Sequence, residues 1–105
     1  EAKNVLRQAK ILERAGVFAL VLEAVPRGLA KQITQSLKSP TIGIGAGKDC
    51  DGQVLVTHDL LGLFEKFRPK FVRRYAELGK EIRKACERFK EDVKEGRFPA
   101  SEESY

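Results

Sequence analysis

Along residues 1–15, Ala2, Val5, Leu6, Ala9, Leu12 and Ala15 recur at helical spacing, with Lys, Arg, Gln and Glu opposite them. The pattern predicts an amphipathic helix. Gly16 stands where a left-handed C-cap belongs. Val17-Phe18-Ala19-Leu20-Val21-Leu22 is then apolar without interruption. Such a short run after a glycine stop predicts a strand buried on both faces, as in a parallel sheet. Glu23 follows at once, and Pro26 breaks the chain. Over 27–37, Leu29, Ala30, Ile33 and Leu37 form a second helical stripe, ended by Ser39-Pro40.

Thr41-Ile42-Gly43-Ile44-Gly45 is a second β-type run, and its glycines point to close backbone approach. Ala46 to Gly52 reads as a loop. Gln53-Val54-Leu55-Val56-Thr57 is a third strand candidate, with a loop as the alternative. His58 to Leu63 starts a short helix, with Thr57 or Asp59 available as its cap. Over 70–95, Phe71, Tyr75, Leu78, Ile82, Ala85, Phe89 and Val93 alternate in steps of four and three. This spacing predicts one long helix whose stripe lies against a partner. The acidic tail, 98–105, has no periodicity and is expected to fray.

Short apolar strands alternating with helices predict βαβ units and a parallel sheet. Three such strands leave open edges and apolar faces in need of cover. A (β/α)₈ barrel takes about 250 residues, and this chain has 105. The expected fold class is therefore α/β, the last three strands of a TIM barrel plus a long C-terminal helix. The expected domain organisation is one barrel portion over 1–97, followed by the tail 98–105. The sequence contains no Met, so it is expected to be processed or a piece of something longer.

Composition narrows the function classes. No apolar run approaches the roughly 18 residues of a membrane span, and the N-terminus does not read as a signal peptide. Two cysteines, Cys50 and Cys86, make neither a disulfide framework nor a zinc site, so a cytoplasmic location is expected. The net charge is +5. It is local to residues 65–97, where 12 basic and 7 acidic side chains are interleaved. That is the pattern of a solvated helix face. The aromatic residues Phe71, Tyr75 and Phe89 fall on the apolar stripe rather than among the bases. No stacking platform for nucleic acid is formed, and neither nucleic acid nor membrane is expected as a partner.

Glu23 is the leading chemical candidate. It ends an apolar strand, and in a barrel that end builds the active site. A carboxylate among apolar neighbours is poorly solvated, which suits it to proton transfer near neutral pH. The alternative is a surface Glu that begins the turn before Pro26. Gly43-Ile44-Gly45-Ala46-Gly47-Lys48 fails as a phosphate loop. A Walker A motif would need Gly where Ile42 stands and Ser or Thr at Asp49, and GxGxxG would need Gly at Lys48. These glycines are read as permitting a tight loop or a close ligand. Asp49, Asp51 and Gly52 lack the remaining ligands of a calcium loop. His58-Asp59 reads as a structural His beside a cap, because adjacent helical residues rarely face each other.

Leu20-Val21-Leu22-Glu23-Ala24-Val25-Pro26, Thr41-Ile42-Gly43-Ile44-Gly45-Ala46-Gly47, Asp51-Gly52-Gln53-Val54-Leu55-Val56 and His58-Asp59 occur in this order and spacing. Together with Phe98-Pro99-Ala100-Ser101-Glu102-Glu103, they resemble the C-terminal part of the ketopantoate hydroxymethyltransferases over essentially the whole chain. The resemblance implies a (β/α)₈ barrel related to the phosphoenolpyruvate mutase and isocitrate lyase group. It implies one-carbon transfer from 5,10-methylenetetrahydrofolate to the keto acid 3-methyl-2-oxobutanoate, giving ketopantoate for coenzyme A synthesis. It also implies Mg²⁺ held by ligands outside this chain, and a homo-oligomer, a decamer in the family. The family's catalytic Glu maps to Glu23. No metal ligand maps onto this chain, and the rest of the barrel is expected in cis or as a second chain. The competing reading is a non-catalytic module that assembles through the helix over 70–95.

Overall fold

A computed structural model describes residues 1–105. Two compact units divide the chain: Glu1–Val56 with Pro69–Val72, and Thr57–Arg68 with Arg73–Tyr105.

The first unit begins with α1 (Ala2–Arg14), which ends as the sequence predicts. Gly16 lies at φ +95°. Its N–H donates to the Glu13 carbonyl at 3.0 Å, and the Val17 N–H donates to the Leu12 carbonyl at 3.5 Å. This pair of bonds is a Schellman cap, whose left-handed residue favours glycine. Strand β1 (Leu20–Glu23), helix α2 (Arg27–Ser36), strand β2 (Thr41–Ile44) and strand β3 (Gly52–Gln53) follow. The sheet order is β1-β2-β3, and both pairings are parallel. Leu20, Val21, Leu22 and Glu23 sit opposite Thr41, Ile42, Gly43 and Ile44. The parallel α/β expectation is borne out.

Side chains alternate across a strand. Leu20 and Leu22 join Ala9 of α1, Ala30 and Ile33 of α2, and Ala46 in one buried core, where Ile33 is 0% exposed. Val21 and Glu23 belong to the other face, where Val21 is 62% exposed. The expected burial on both faces is therefore corrected, because α1 and α2 supply core residues to one face only. Regular strand also begins later than the apolar run, leaving Phe18 92% exposed.

The expected strand 53–57 is corrected: β3 is Gly52–Gln53 and overlaps it at Gln53 alone. Val54 N–H still donates to the Gly43 carbonyl at 3.0 Å. Beyond it no second neighbour extends the ladder, because β3 is an edge strand. Thr41, at the start of β2, is 0% exposed and fully engaged. Its hydroxyl shares a 2.8 Å hydrogen bond with Thr34, and its N–H donates to Asp51 Oδ2 at 2.8 Å. Burial without such partners would cost about 1–3 kcal/mol per group.

The second unit holds α3 (Thr57–Leu60) and α4 (Leu78–Lys94). The expected helix over 70–95 is thus shortened by eight residues at its start. Backbone hydrogen bonding gives the reason. Tyr75, Leu78 and Gly79 donate their N–H groups to the carbonyls of Leu60, Leu61 and Gly62 at 2.8, 3.0 and 3.1 Å, rather than to a preceding helical turn. Phe71 and Tyr75 therefore leave the helical stripe. Leu78, Ile82, Phe89 and Val93 remain on it, all exposed.

The tail is also corrected. Gly96, at φ +69°, caps α4, and Arg97 N–H donates to the Asp92 carbonyl at 2.8 Å. The Phe98 ring meets Phe89 edge to face at 5.3 Å. A turn of 3₁₀ helix follows at Ser101–Glu103. No helix is long and apolar enough to cross a membrane.

Candidate functional site

In parallel α/β sheets, ligands are taken up outside the carboxyl ends of the strands. At that end of β1 stands Glu23, in register with Ile44, the last residue of β2. Glu23 is exposed, and none of the observed side-chain hydrogen bonds or ion pairs involves it. The apolar, water-poor setting expected for it is not built by this chain, because the sheet face that Glu23 shares with Val21 is open. The ladder continues one atom past it, with Ala24 N–H donating to the Ile44 carbonyl at 2.9 Å. The chain then turns within Ala24 and Val25 to reach Pro26, the N-cap of α2.

Beside Glu23, at the end of β2, lies the glycine loop. Its glycines are matched to this chain's own side chains. Gly45 is at φ +66°, and a Cβ there would lie 2.8 Å from Cδ1 of Phe71. Gly47 is at φ +81°, and a Cβ there would lie 2.5 Å from Cγ of Arg27. Of the two readings offered for these glycines, the structure shows the tight loop. Gln53 Nε2 donates to the Gly47 carbonyl at 2.8 Å. Arg27 Nε donates to Asp49 Oδ2 at 2.8 Å. This ion pair ties the start of α2 to the loop that follows β2, so both connections beside Glu23 are bound to each other. The hydrogen bond from Arg27, assisted by the positive charges of Arg27, Lys31 and Lys48, holds the Asp49 carboxyl below the usual aspartate range.

The other candidates find structural places. Asp51 accepts from the Thr41 N–H and lies within 3.2 Å of the Thr41 hydroxyl, so it anchors the opposite end of β2. Cys50 is half-buried, with Sγ 3.0 Å from where a Gly43 Cβ would stand. Cys86 is exposed on α4. In the second unit His58 is exposed and Asp59 half-buried, adjacent on α3. No group of three or more His, Cys, Asp or Glu side chains is gathered closely enough to hold a metal ion. The residues of this chain therefore do not by themselves fit Mg²⁺.

Sequence reasoning missed three contacts of the first unit: Arg27–Asp49 beside Glu23, and, at the opposite end of β2, Thr41–Asp51 and Glu13 with the loop before β2. Glu13 Oε1 accepts from the N–H groups of Lys38 and Ser39 at 2.5 and 2.7 Å. Those donors, Ser39 first and then Lys38, hold the Glu13 carboxyl below the usual glutamate range. The partners are 10 to 26 residues apart in sequence, beyond any helical or strand period. The one available signal was that each pair joins a carboxylate to the start of a helix or strand or to the turn before one.

The molecule is thus an α/β protein of the βαβ class, with a carboxylate at a strand end beside a self-packed glycine loop. Comparison with known proteins defines it further. The family model for ketopantoate hydroxymethyltransferase matches residues 1–101, and the chain belongs to that family. It is 58% identical over its full length to the 3-methyl-2-oxobutanoate hydroxymethyltransferase of Caldicellulosiruptor bescii, of which it covers 40%. It is 56% identical to the protein of that name from Moorella thermoacetica, covering 39% of it. Against that of Prosthecochloris aestuarii it is 58% identical and covers 38%. The chain spans about two-fifths of the length of these curated relatives.

Proposed function

We propose that this chain supplies part of the active site of a ketopantoate hydroxymethyltransferase, and that Glu23 is its catalytic residue. The observation that carries the reading is positional. Glu23 is the last residue of β1, on the sheet face turned away from the α1 and α2 core. If the sheet belongs to a (β/α)₈ barrel, that face lines the barrel interior, and the strand's carboxyl end opens on the active site. The exposed Val21 supports the same reading, since a barrel interior would cover it.

The chemistry assigned to Glu23 is proton transfer. The C3 hydrogen of 3-methyl-2-oxobutanoate passes as a proton to a carboxylate oxygen. The C–H electron pair becomes the π pair of an enolate; water releases the one-carbon unit of 5,10-methylenetetrahydrofolate as formaldehyde, breaking both of its C–N bonds and leaving tetrahydrofolate, and the enolate carbon adds to the formaldehyde carbon, whose oxygen takes a proton to become the hydroxyl. A positioned general base is worth about 10²–10⁴ in rate, or roughly 3–5 kcal/mol. Mg²⁺, implied by the family resemblance, has no ligand set on this chain, and no step here is routed through it.

The test joins this chain to the remaining part of one of the relatives above, in place of the matching segment. Glu23→Gln in that completed protein should lower turnover by about 10²-fold or more. It should also slow exchange of the C3 hydrogen of the keto acid with deuterated solvent, with the sedimentation profile unchanged. Undiminished exchange would overturn the assignment.

The non-catalytic alternative rests on α4, which buries no residue and exposes Leu78, Ile82, Phe89 and Val93. In that reading the stripe docks on another copy. Ile82→Lys would then reduce the size of the assembly, while Glu23→Gln would leave turnover unaltered.

A further inference from the structure

The backbone N–H groups of Gly45, Ala46, Gly47 and Lys48 donate to no carbonyl and to no side chain of the molecule. The sign of φ alternates along the first three. It is +66° at Gly45 and +81° at Gly47, while Ala46 stays out of the left-handed region, which Ala24 alone enters among residues other than glycine. Successive N–H groups on a backbone turned in this way form a concavity that takes up anions.

Ala46 makes these donors costly to leave unpaired. It is 1% exposed and packs in the core with Leu20, Leu22, Ala30 and Ile33. Nearly all buried N–H groups have an acceptor, and one without costs about 1–3 kcal/mol. That burial is made by this chain's own residues. So are the loop's surroundings: the Arg27 stem lies against Gly47, the Phe71 ring against Gly45, and Gln53 Nε2 donates to the Gly47 carbonyl at 2.8 Å. Further strands would add at the free edges of β1 and β3, whereas the loop follows the central strand β2.

Charge favours an anion here. Lys48 belongs to the loop, and Lys31 lies one turn into α2. Both act on the Asp49 carboxyl, and neither takes part in an ion pair. Position narrows the anion. Ile44, the residue before the loop, is in register with Glu23, and the substrates of the proposed reaction carry carboxylates, one on the keto acid and others on the glutamate of the folate.

We propose that the N–H groups of Gly45, Ala46, Gly47 and Lys48 bind a substrate carboxylate beside Glu23. The proposal rests on the transferase reading and deepens it by naming what the glycine loop holds.

The experiment uses the completed protein described above. It measures the thermal midpoint, kcat, and KM for the keto acid, for 5,10-methylenetetrahydrofolate and for the analogue of that folate without its glutamate. Lys48→Pro removes one N–H donor together with the side-chain charge. Lys48→Ala removes the charge alone and should raise KM about two- to threefold. Lys48→Pro should raise it about 10-fold further, the worth of a hydrogen bond to a charged group. A rise for the keto acid identifies its carboxylate. A rise for the folate, with none for the analogue, identifies the glutamate carboxylates. The proposal is overturned if Lys48→Pro and Lys48→Ala have equal KM values, including the case in which Lys48→Pro only lowers the midpoint, which would give these donors to an acceptor within the protein. If Lys48→Pro does not fold, crystals of the parent with the keto acid or with tetrahydrofolate decide. A carboxylate within hydrogen-bonding distance of the loop's N–H groups upholds the proposal, and its absence from both complexes overturns it. Parent turnover with unmoved KM values removes only the loop's role, whereas a parent without transferase turnover removes the underlying reading as well.

Discussion

The one-sided cover of the sheet yields a quantitative prediction. Val21 and Ile33 are both aliphatic residues of the first unit, but Val21 is 62% exposed and Ile33 is 0% exposed. Burial contributes about 0.8 kcal/mol per CH₂ group. Val21→Ala deletes two carbons, worth roughly 1.6 kcal/mol if fully buried. With little more than a third of the residue covered, the expected cost in this chain alone is about 0.6 kcal/mol. Ile33→Ala deletes three fully buried carbons and leaves a cavity, for about 2–5 kcal/mol. Urea unfolding followed by far-UV circular dichroism measures both, provided the slopes match the parent's. Repeating the Val21 measurement in the completed protein tests the barrel itself. Valine's strand preference applies in both settings and cancels in the comparison. If a barrel interior covers this face, the Val21→Ala cost should rise by about 1 kcal/mol or more. An equal cost for Val21 and Ile33 in the isolated chain would refute the one-sided packing. A Val21 cost that does not rise in the completed protein would refute the barrel reading.

Two further predictions follow from contacts the sequence did not reveal. Glu13 has a folded-state pKa below the usual glutamate range, because it accepts from the Ser39 and Lys38 N–H groups. Its contribution is therefore complete above the unfolded value and is lost as pH falls through the lower folded one. The urea midpoint should fall on acidification below about pH 5, and less so in Glu13→Gln than in the parent. At Gly47, a methyl would meet both a left-handed backbone and the Arg27 side chain. Gly47→Ala should cost about 1–2 kcal/mol for the backbone alone. Its effect should be non-additive with Arg27→Ala by at least about 0.5 kcal/mol in a double-mutant cycle, since the two share one contact. Strict additivity would show that the loop relaxes away from Arg27.

The elements legible in the sequence were those with a local cause. Helix α1 and its glycine stop, α2 between Pro26 and Ser39-Pro40, and the apolar centres of β1 and β2 each rest on spacing or a terminator within a few residues. The family, borne out by the match over residues 1–101, was carried by the order of several short motifs rather than by any one of them. The misread elements share a different cause. From Phe71 to Glu77 the apolar spacing is helical, yet the Tyr75 N–H goes to the Leu60 carbonyl, as those of Leu78 and Gly79 go to Leu61 and Gly62. Periodicity reports where side chains would fall if a helix formed; it does not report a competing acceptor. The open face of β1 is the same kind of error in reverse. The residues between Val17 and Leu22 record an environment with apolar neighbours on both sides, and this chain supplies only one of them. That mismatch is itself informative. Val21 carries apolar surface toward the same side as Glu23, so whatever covers Val21 also brings Glu23 into a less solvated setting. Assembly with the missing cover and creation of the proton-transfer site are thus one event in the proposed mechanism. Stability at Val21 and turnover at Glu23 should appear together when the rest of the protein is supplied.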